Sequence, residues 1–348
     1  PMGSNGPMGS NGLALATRRL LIAFALVTGS LAAVGAWGDA ARAQTSAGKV
    51  LSGVVRLSAE IPAEARTARA LGTRREGNGV VIDDDGLVLT IGYLILEAMS
   101  VTVHDASGAP VQAEIVAYDH RSGFGLVRAK RSLGVLPIRF GESRALRERA
   151  PVLVVAHGGL QAALPAYVAS RREFAGYWEY LLDDAIFTVP PHPHWSGAAL
   201  LGADGKLLGI GSLIVEDALR GEMTLAGNMF VPIDLLKPIL ADLLSEGRRA
   251  GPRQPWLGMF SANVPGGALV TSVAPDSPAQ QAGIVPGDLV VGVAGEAIDG
   301  LAELYRKVWD SGGAGVEIPL TVRRGSRALD VVVTSGDRAD YLRLDSSY

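Results

Sequence analysis

From Lys49 to about Leu244 the chain is written as short apolar runs, each closed by Gly, Asp-Gly or Pro, and that punctuation limits what it can fold into. The runs Gly79-Val-Val-Ile-Asp83, Leu87-Val-Leu-Thr90, Ala113-Glu-Ile-Val-Ala117, Val152-Leu-Val-Val155 and Leu207-Leu-Gly-Ile210 are of strand length. Many short strands with regular turn signals predict an antiparallel sandwich or barrel. One helix is expected in this block, Pro232 to Leu244, with Leu235, Leu236, Ile239, Leu240 and Leu243 at helical spacing. Pro238 lies inside it, placed to kink it or to delay its start. The Gly/Pro/Arg stretch Glu246 to Pro255 has no apolar periodicity and reads as a domain boundary. Beyond it, Trp256 to about Arg338 alternates strand-like runs (Ala268–Val273, Leu289–Val293, Leu329–Val333) with two short helical stretches, Pro278–Ala282 and Leu301–Asp310. That is the pattern of one small α+β module.

Composition removes several chemistries. The chain has 348 residues and no cysteine, which excludes disulfides, thiolate zinc, iron–sulfur clusters and a cysteine nucleophile. A net charge of −3 argues against a nucleic-acid binder. No phosphate loop, dinucleotide fingerprint or EF-hand is present, so no cofactor is expected. Five histidines are enough for a catalytic role, which makes their positions decisive.

The N-terminus reads as processing sequence. Residues 1–12 repeat one hexapeptide and read as an artificial leader. Arg18-Arg19, an apolar run from Leu20 to Trp37 and Ala41-Arg42-Ala43 are the parts of a secretory signal over residues 13–43. The expectation is export to the periplasm, with membrane anchoring if the signal stays uncleaved.

At this point the sequence resembles a known architecture. Gly77-Asn-Gly-Val-Val-Ile-Asp-Asp-Asp-Gly-Leu-Val-Leu-Thr90 resembles the entry strands of the trypsin-like domain in the HtrA/Deg family of periplasmic proteases. Ser196-Gly-Ala-Ala-Leu-Leu-Gly-Ala-Asp-Gly-Lys-Leu-Leu-Gly-Ile210 resembles that family's nucleophile segment. Ser277-Pro-Ala-Gln-Gln-Ala-Gly-Ile-Val-Pro-Gly-Asp-Leu-Val290, with Gly295, is similar to the PDZ domains that follow such proteases. The resemblance implies a mainly β fold, a trypsin-like double β-barrel followed by a small α+β PDZ domain. The implied division is residues 44–248 for the degenerate protease domain, 249–254 for a linker, 255–338 for the PDZ domain and 339–348 for a tail, expected to be exposed from Tyr341 to Tyr348.

The catalytic positions depart from the family. A serine hydroxyl needs a base of pKa near 7 and an acid to orient that base. Where the family places its histidine, this chain has Tyr93, and a phenol of pKa ~10 is a poor base at pH 7. Where the family places its aspartate, this chain has Gly123; Asp119 matches a different aspartate of that segment. Only the nucleophile position, Ser196, is retained. The implied oxyanion positions are His194 and Ser196, and His194 replaces a glycine whose backbone freedom that turn uses. His192 and His194 stand close enough in sequence to offer a displaced base or a metal ligand, although two histidines make a weak metal signal.

The second module keeps its parts better. PDZ domains add a peptide as a strand beside an exposed edge, with backbone N–H groups capturing the terminal carboxylate. Trp256-Leu257-Gly258-Met259-Phe260 fits the capturing loop, and Leu304 and Val308 fit either the far wall of the groove or the core. Two features stand outside this scheme. Tyr177-Trp178-Glu179-Tyr180 reads as an exposed patch or as a hairpin packed on the core, and Arg66, Arg69, Arg74 and Arg75 read as a solvated loop. The expectation is an exported HtrA-like pseudoprotease that binds polypeptides or protein C-termini, as scaffold, adaptor or holding chaperone, alone or assembled with family members. The alternative is an active serine endopeptidase using Ser196 with a non-standard base.

Overall fold

A computed structural model describes residues 48–221 and 223–342. The expected leader, the signal segment, and the tail beyond residue 342 lie outside the described residues.

The first six strands close into a barrel: β1 (Val54–Glu60), β2 (Arg74–Val81), β3 (Leu87–Ile91), β4 (Ser100–His104), β5 (Pro110–Tyr118) and β6 (Phe124–Ala129), in the order β1-β2-β3-β6-β5-β4. Period-2 alternation does the sorting. In β4, Val101 and Val103 point inward while Ser100, Thr102 and His104 face out. Strand β3 is buried along its whole length because it runs between the barrel interior and the second barrel. That second barrel orders β7 (Pro151–Val155), β8 (Ala163–Gly176), β9 (Tyr180–Val189), β10 (Ala199–Leu201), β11 (Leu207–Leu219) and β12 (Leu225–Pro232) as β10-β11-β12-β9-β8-β7. One apolar cluster runs continuously from Leu57 and Leu89 in the first barrel to Phe187 and Val231 in the second. The double-barrel expectation holds.

The helix expected at Pro232–Leu244 is much shorter. Pro232 ends β12, a 3-10 turn covers Ile233–Leu235, and the α-helix begins only at Leu240 and ends at Glu246. Pro238 supplies no N–H and its ring excludes the helical conformation before it, so the helix starts past it. The arginine loop also corrects the sequence reading. Arg69 and Arg74 are exposed, but Arg75 lies in β2 only 4% exposed, its guanidinium donating to the carbonyls of Gly72, Tyr93 and Leu96.

The C-terminal module has a sheet in the order β14 (Met259–Val264), β15 (Gly267–Val273), β16 (Leu289–Val293), β18 (Glu317–Arg324) and β19 (Arg327–Thr334), with β17 (Glu296–Ala297) beside β16. A small second sheet pairs β13 (Pro255–Trp256) with β20 (Gly336–Asp337). The helix Leu301–Asp310 forms where expected and buries Leu301, Leu304, Tyr305 and Val308 against the sheet. Arg249 in the linker pairs with the buried Asp119 at 2.7 Å, and a helical turn, Arg338–Tyr341, places the Tyr341 ring 4.4 Å from Trp256. Among the described residues no helix is long and apolar enough to cross a membrane.

Candidate functional site

The cleft between the barrels brings Ser196 and Tyr93 together. Strand β3 ends at Ile91, and the 3-10 turn Gly92–Leu94 aims the Tyr93 ring across the cleft. Arg75 fixes that turn by donating to the Tyr93 carbonyl at 2.7 Å. Gly92 has to be glycine: a Cβ there would fall 1.9 Å from the Tyr118 ring.

The Tyr93 hydroxyl lies 2.8 Å from Ser196 Oγ and 2.8 Å from the Ser212 carbonyl oxygen. A phenol has one proton and a carbonyl can only accept, so with that proton on Ser212 the contact to Ser196 is made by the serine's own hydrogen. Burial pushes the Tyr93 hydroxyl up to about 12, and its hydrogen bond with Ser196 offsets this only in part. At neutral pH the phenol is therefore protonated and has no basic site for a serine proton. Among the described residues no hydrogen bond joins an imidazole to Ser196 Oγ.

At Gly123, the position expected for an orienting acid, a side chain has little room. Gly123 sits at a positive φ of 80°, and a Cβ there would meet the Tyr180 hydroxyl at 3.1 Å. Tyr180 is buried and donates to the Ser122 carbonyl at 2.6 Å. Asp119, one turn back, is committed elsewhere: burial raises its pKa, but the Arg249 guanidinium overcomes that and holds the carboxyl below its usual range.

The segment before the serine is tied into the same frame. The His194 N–H, one of the two expected oxyanion donors, donates to His192 Nδ1 at 3.0 Å. His194 is not in the left-handed region that the family's glycine permits; Gly197, at φ 72°, makes the turn. His192 is 4% exposed, and its Nε2 faces the Ala162 carbonyl at 3.1 Å, which sets the tautomer with Nε2 protonated and Nδ1 accepting. Burial lowers its pKa further. His192 is thus a structural, neutral imidazole with both nitrogens engaged. No group of three or more potential metal ligands occurs among the described residues.

Two residues that sequence reading passed over shape the cleft. Asn78, in β2, donates through Nδ2 to the carbonyls of His194 and Ser196 at 2.9 and 2.8 Å. Its Oδ1 faces the His157 N–H and His157 Nδ1 at 2.8 and 2.7 Å. A cavity of about 410 Å³ opens beside Ser196, lined among others by Arg56, Glu76, His157 and His194. The only sequence signal for Asn78 was a polar residue between two glycines, just before the apolar run Val80-Val81-Ile82.

In the C-terminal module the amides of the loop expected to capture a carboxylate converge. The N–H groups of Leu257, Gly258 and Met259 all point at the Glu179 carboxylate, at 3.0, 2.6 and 3.0 Å. Gly258 adopts φ 82°, and a Cβ there would fall 2.3 Å from Ser277 Cβ. Trp256, Leu257 and Met259 are buried and Phe260 half-buried at the start of β14. Leu304 and Val308 lie in the module's core, at 0% and 1% exposed.

Two closed antiparallel barrels with a serine in the cleft between them, followed by a small α+β sheet module, define a trypsin-like peptidase fold with a second small domain appended. The trypsin-like peptidase domain family matches residues 77–210 and the PDZ domain family residues 254–334. The chain is 28% identical over 278 residues to "Probable periplasmic serine protease do/HhoA-like" of Haemophilus influenzae, covering 73% of this chain and 57% of that protein. It is 24% identical over 292 residues to "Serine protease HTRA1" of Xenopus laevis, covering 74% and 59%. The match thus spans little more than half the length of these curated relatives. Among solved structures, "HtrA-type protease AlgW with decapeptide" superposes with a TM-score of 0.52 at 18% identity, covering 83% of this chain and 97% of that one. The serine endoprotease of Yersinia pestis superposes with a TM-score of 0.50 at 22% identity, covering 83% and 95%. The chain is thus similar to HtrA/DegP proteases, with a trypsin-like peptidase match followed by a PDZ match.

Proposed function

We propose that this chain is an HtrA-like pseudoprotease of the periplasm that binds polypeptides or protein C-termini through its PDZ domain and does not cleave them. The observation that carries the reading is the pairing of Ser196 Oγ with the Tyr93 hydroxyl instead of an imidazole. A neutral phenol cannot take the serine proton, the acid position is Gly123, and one expected oxyanion donor is spent on His192. The binding half of the reading is supported by the PDZ match and by three convergent amides at residues 257–259. The periplasm is favoured by similarity to relatives named as periplasmic serine proteases.

The competing reading is a serine endopeptidase with a non-standard base. Its one supporting observation is that His157 and His194 line the same cavity as Ser196. Incubating the wild type and Ser196→Ala with a reduced, unfolded protein substrate separates the two. Equal, background-level fragmentation is expected; cleavage abolished by Ser196→Ala establishes the endopeptidase.

A further inference from the structure

The carboxylate-capturing loop already holds a carboxylate, and it belongs to this chain. Strands β8 and β9 form a long hairpin that leaves the second barrel and turns at Tyr177-Trp178-Glu179. Glu179 sits at the tip with φ 55°, a left-handed conformation that non-glycine residues rarely adopt. That bend delivers its side chain into the loop, where Glu179 is 7% exposed and accepts the three amides of Leu257, Gly258 and Met259. Burying a carboxylate is costly unless hydrogen bonds replace its water, and here three N–H groups do so.

The rest of the tip behaves as a ligand would. PDZ ligands pair by their backbone with the strand after the loop. Strand β14 is an edge of its sheet, and its Ser261 N–H donates to the Tyr177 carbonyl at 3.0 Å. From the helix Leu301–Asp310, the Tyr305 hydroxyl donates to the Gly176 carbonyl at 2.8 Å and lies 3.3 Å from the Glu179 N–H that donates to it. Arg338 donates to the Trp178 carbonyl at 3.1 Å, and Arg306 of the same helix pairs with Glu173 and Asp183 on the hairpin's two strands. Ala175 and Leu181 pack against the PDZ core. Carboxylate, strand pairing and helix contact are all supplied by one hairpin.

We infer that the β8–β9 hairpin is an internal ligand of the PDZ groove, with Glu179 standing in for a C-terminal carboxylate, so that an outside C-terminus binds only by displacing it. The inference rests on the reading that this groove takes C-termini. Its consequence is quantitative. A tethered competitor acts at an effective concentration on the order of 1 mM. Against a contact of intrinsic Kd about 0.1 mM, this reduces the apparent affinity for an outside peptide about tenfold. The partner that opens the groove therefore has a free carboxylate and contacts beyond it, since the carboxylate alone only exchanges with Glu179.

The test uses the chain with Glu179→Gly, which removes the carboxylate and suits the positive φ, and Glu179→Gln, which keeps the side-chain length. The probes are four fluorescent decapeptides ending in Val, Leu, Ile or Phe as free acids, together with their C-terminal amides. Amide hydrogen exchange at residues 257–259 is followed in parallel without peptide. The expected result is protection of those amides in the wild type and its loss in Glu179→Gly. At least one free-acid peptide should bind Glu179→Gly about tenfold more tightly than the wild type, with the amidated form weak. Equal affinity for both proteins overturns the inference, as does equal exchange at residues 257–259. If no peptide binds either protein but exchange rises in Glu179→Gly, the latch stands, and the reading that the groove takes C-termini is the one that fails. Unchanged circular dichroism of the variants keeps the comparison on folded protein.

Discussion

Asn78 uses its whole side-chain amide to fasten the two barrels at the cleft, both hydrogens on the nucleophile segment and its oxygen on His157. Truncation takes these partners from the His194 carbonyl and the His157 N–H, while the Ser196 carbonyl keeps the Asn78 backbone N–H, so Asn78→Ala is expected to lose about 1–3 kcal/mol of stability in denaturant titration. His120 is a different kind of residue. Both its ring nitrogens are buried without a partner, and its ring packs edge-on to Tyr118 at 4.4 Å. Burial, reinforced by Arg338 and opposed by Asp119, pushes its pKa down to about 3. The native state then stays unprotonated at His120 between about pH 6.5 and 3, where the unfolded chain takes up a proton. Stability present above about pH 6.5 is lost as pH falls, at up to about 1.4 kcal/mol per pH unit from this group. His120→Phe should flatten that decline between pH 6.5 and 4.5 in urea midpoints measured across the range. The departures at the catalytic positions are also not a single point change. Tyr93→His alone lacks an orienting acid, and an aspartate at Gly123 meets Tyr180 at a positive φ. Neither Tyr93→His nor the double variant with Gly123→Asp should show Ser196-dependent cleavage, and the double variant should lose about 1–3 kcal/mol of stability.

At the scale of elements, the sequence was most readable where one local signal decided the outcome. Alternation placed Val101 and Val103 inside β4, and the helix Leu301–Asp310 has the bounds its apolar spacing predicts. Pro238 was visible, but whether it would bend the helix or postpone it depends on how β12 delivers the chain, which is a tertiary matter. Tyr93 was legible because it sits two residues past the end of an identifiable strand. Arg75 was not, since charge in sequence reads as solvent, and its partners are carbonyls brought together only by the fold. Glu179 was the least readable of all: its three partners lie about 80 residues away in another domain. The loop it fills is narrow, and Gly258→Ala, which combines φ 82° with a Cβ 2.3 Å from Ser277, should cost about 1–3 kcal/mol and lower the melting temperature.

Across the whole molecule, the two domains are joined by contacts of unequal weight. Arg306 with Glu173 and Asp183, and Arg66 with Asp276, are surface pairs of the kind worth about 0–1 kcal/mol each. The half-buried pair Asp119–Arg249 and the buried Glu179 clasp are the contacts that water screens least. Tyr180, beside Glu179 in sequence, fills the space next to Gly123 in the first barrel, so the same hairpin packs against Gly123 and brings Glu179 to the amides of residues 257–259. Ser196 held by the neutral phenol of Tyr93, with Gly123 at the proposed acid position, carries the pseudoprotease proposal. The most direct test is the rate of fluorophosphonate labelling of the wild type and Ser196→Ala from pH 5 to 9. The account predicts labelling no faster than Ser196→Ala at every pH. Serine-dependent labelling that rises with an apparent pKa near 7 would contradict it, because that profile reports an imidazole base.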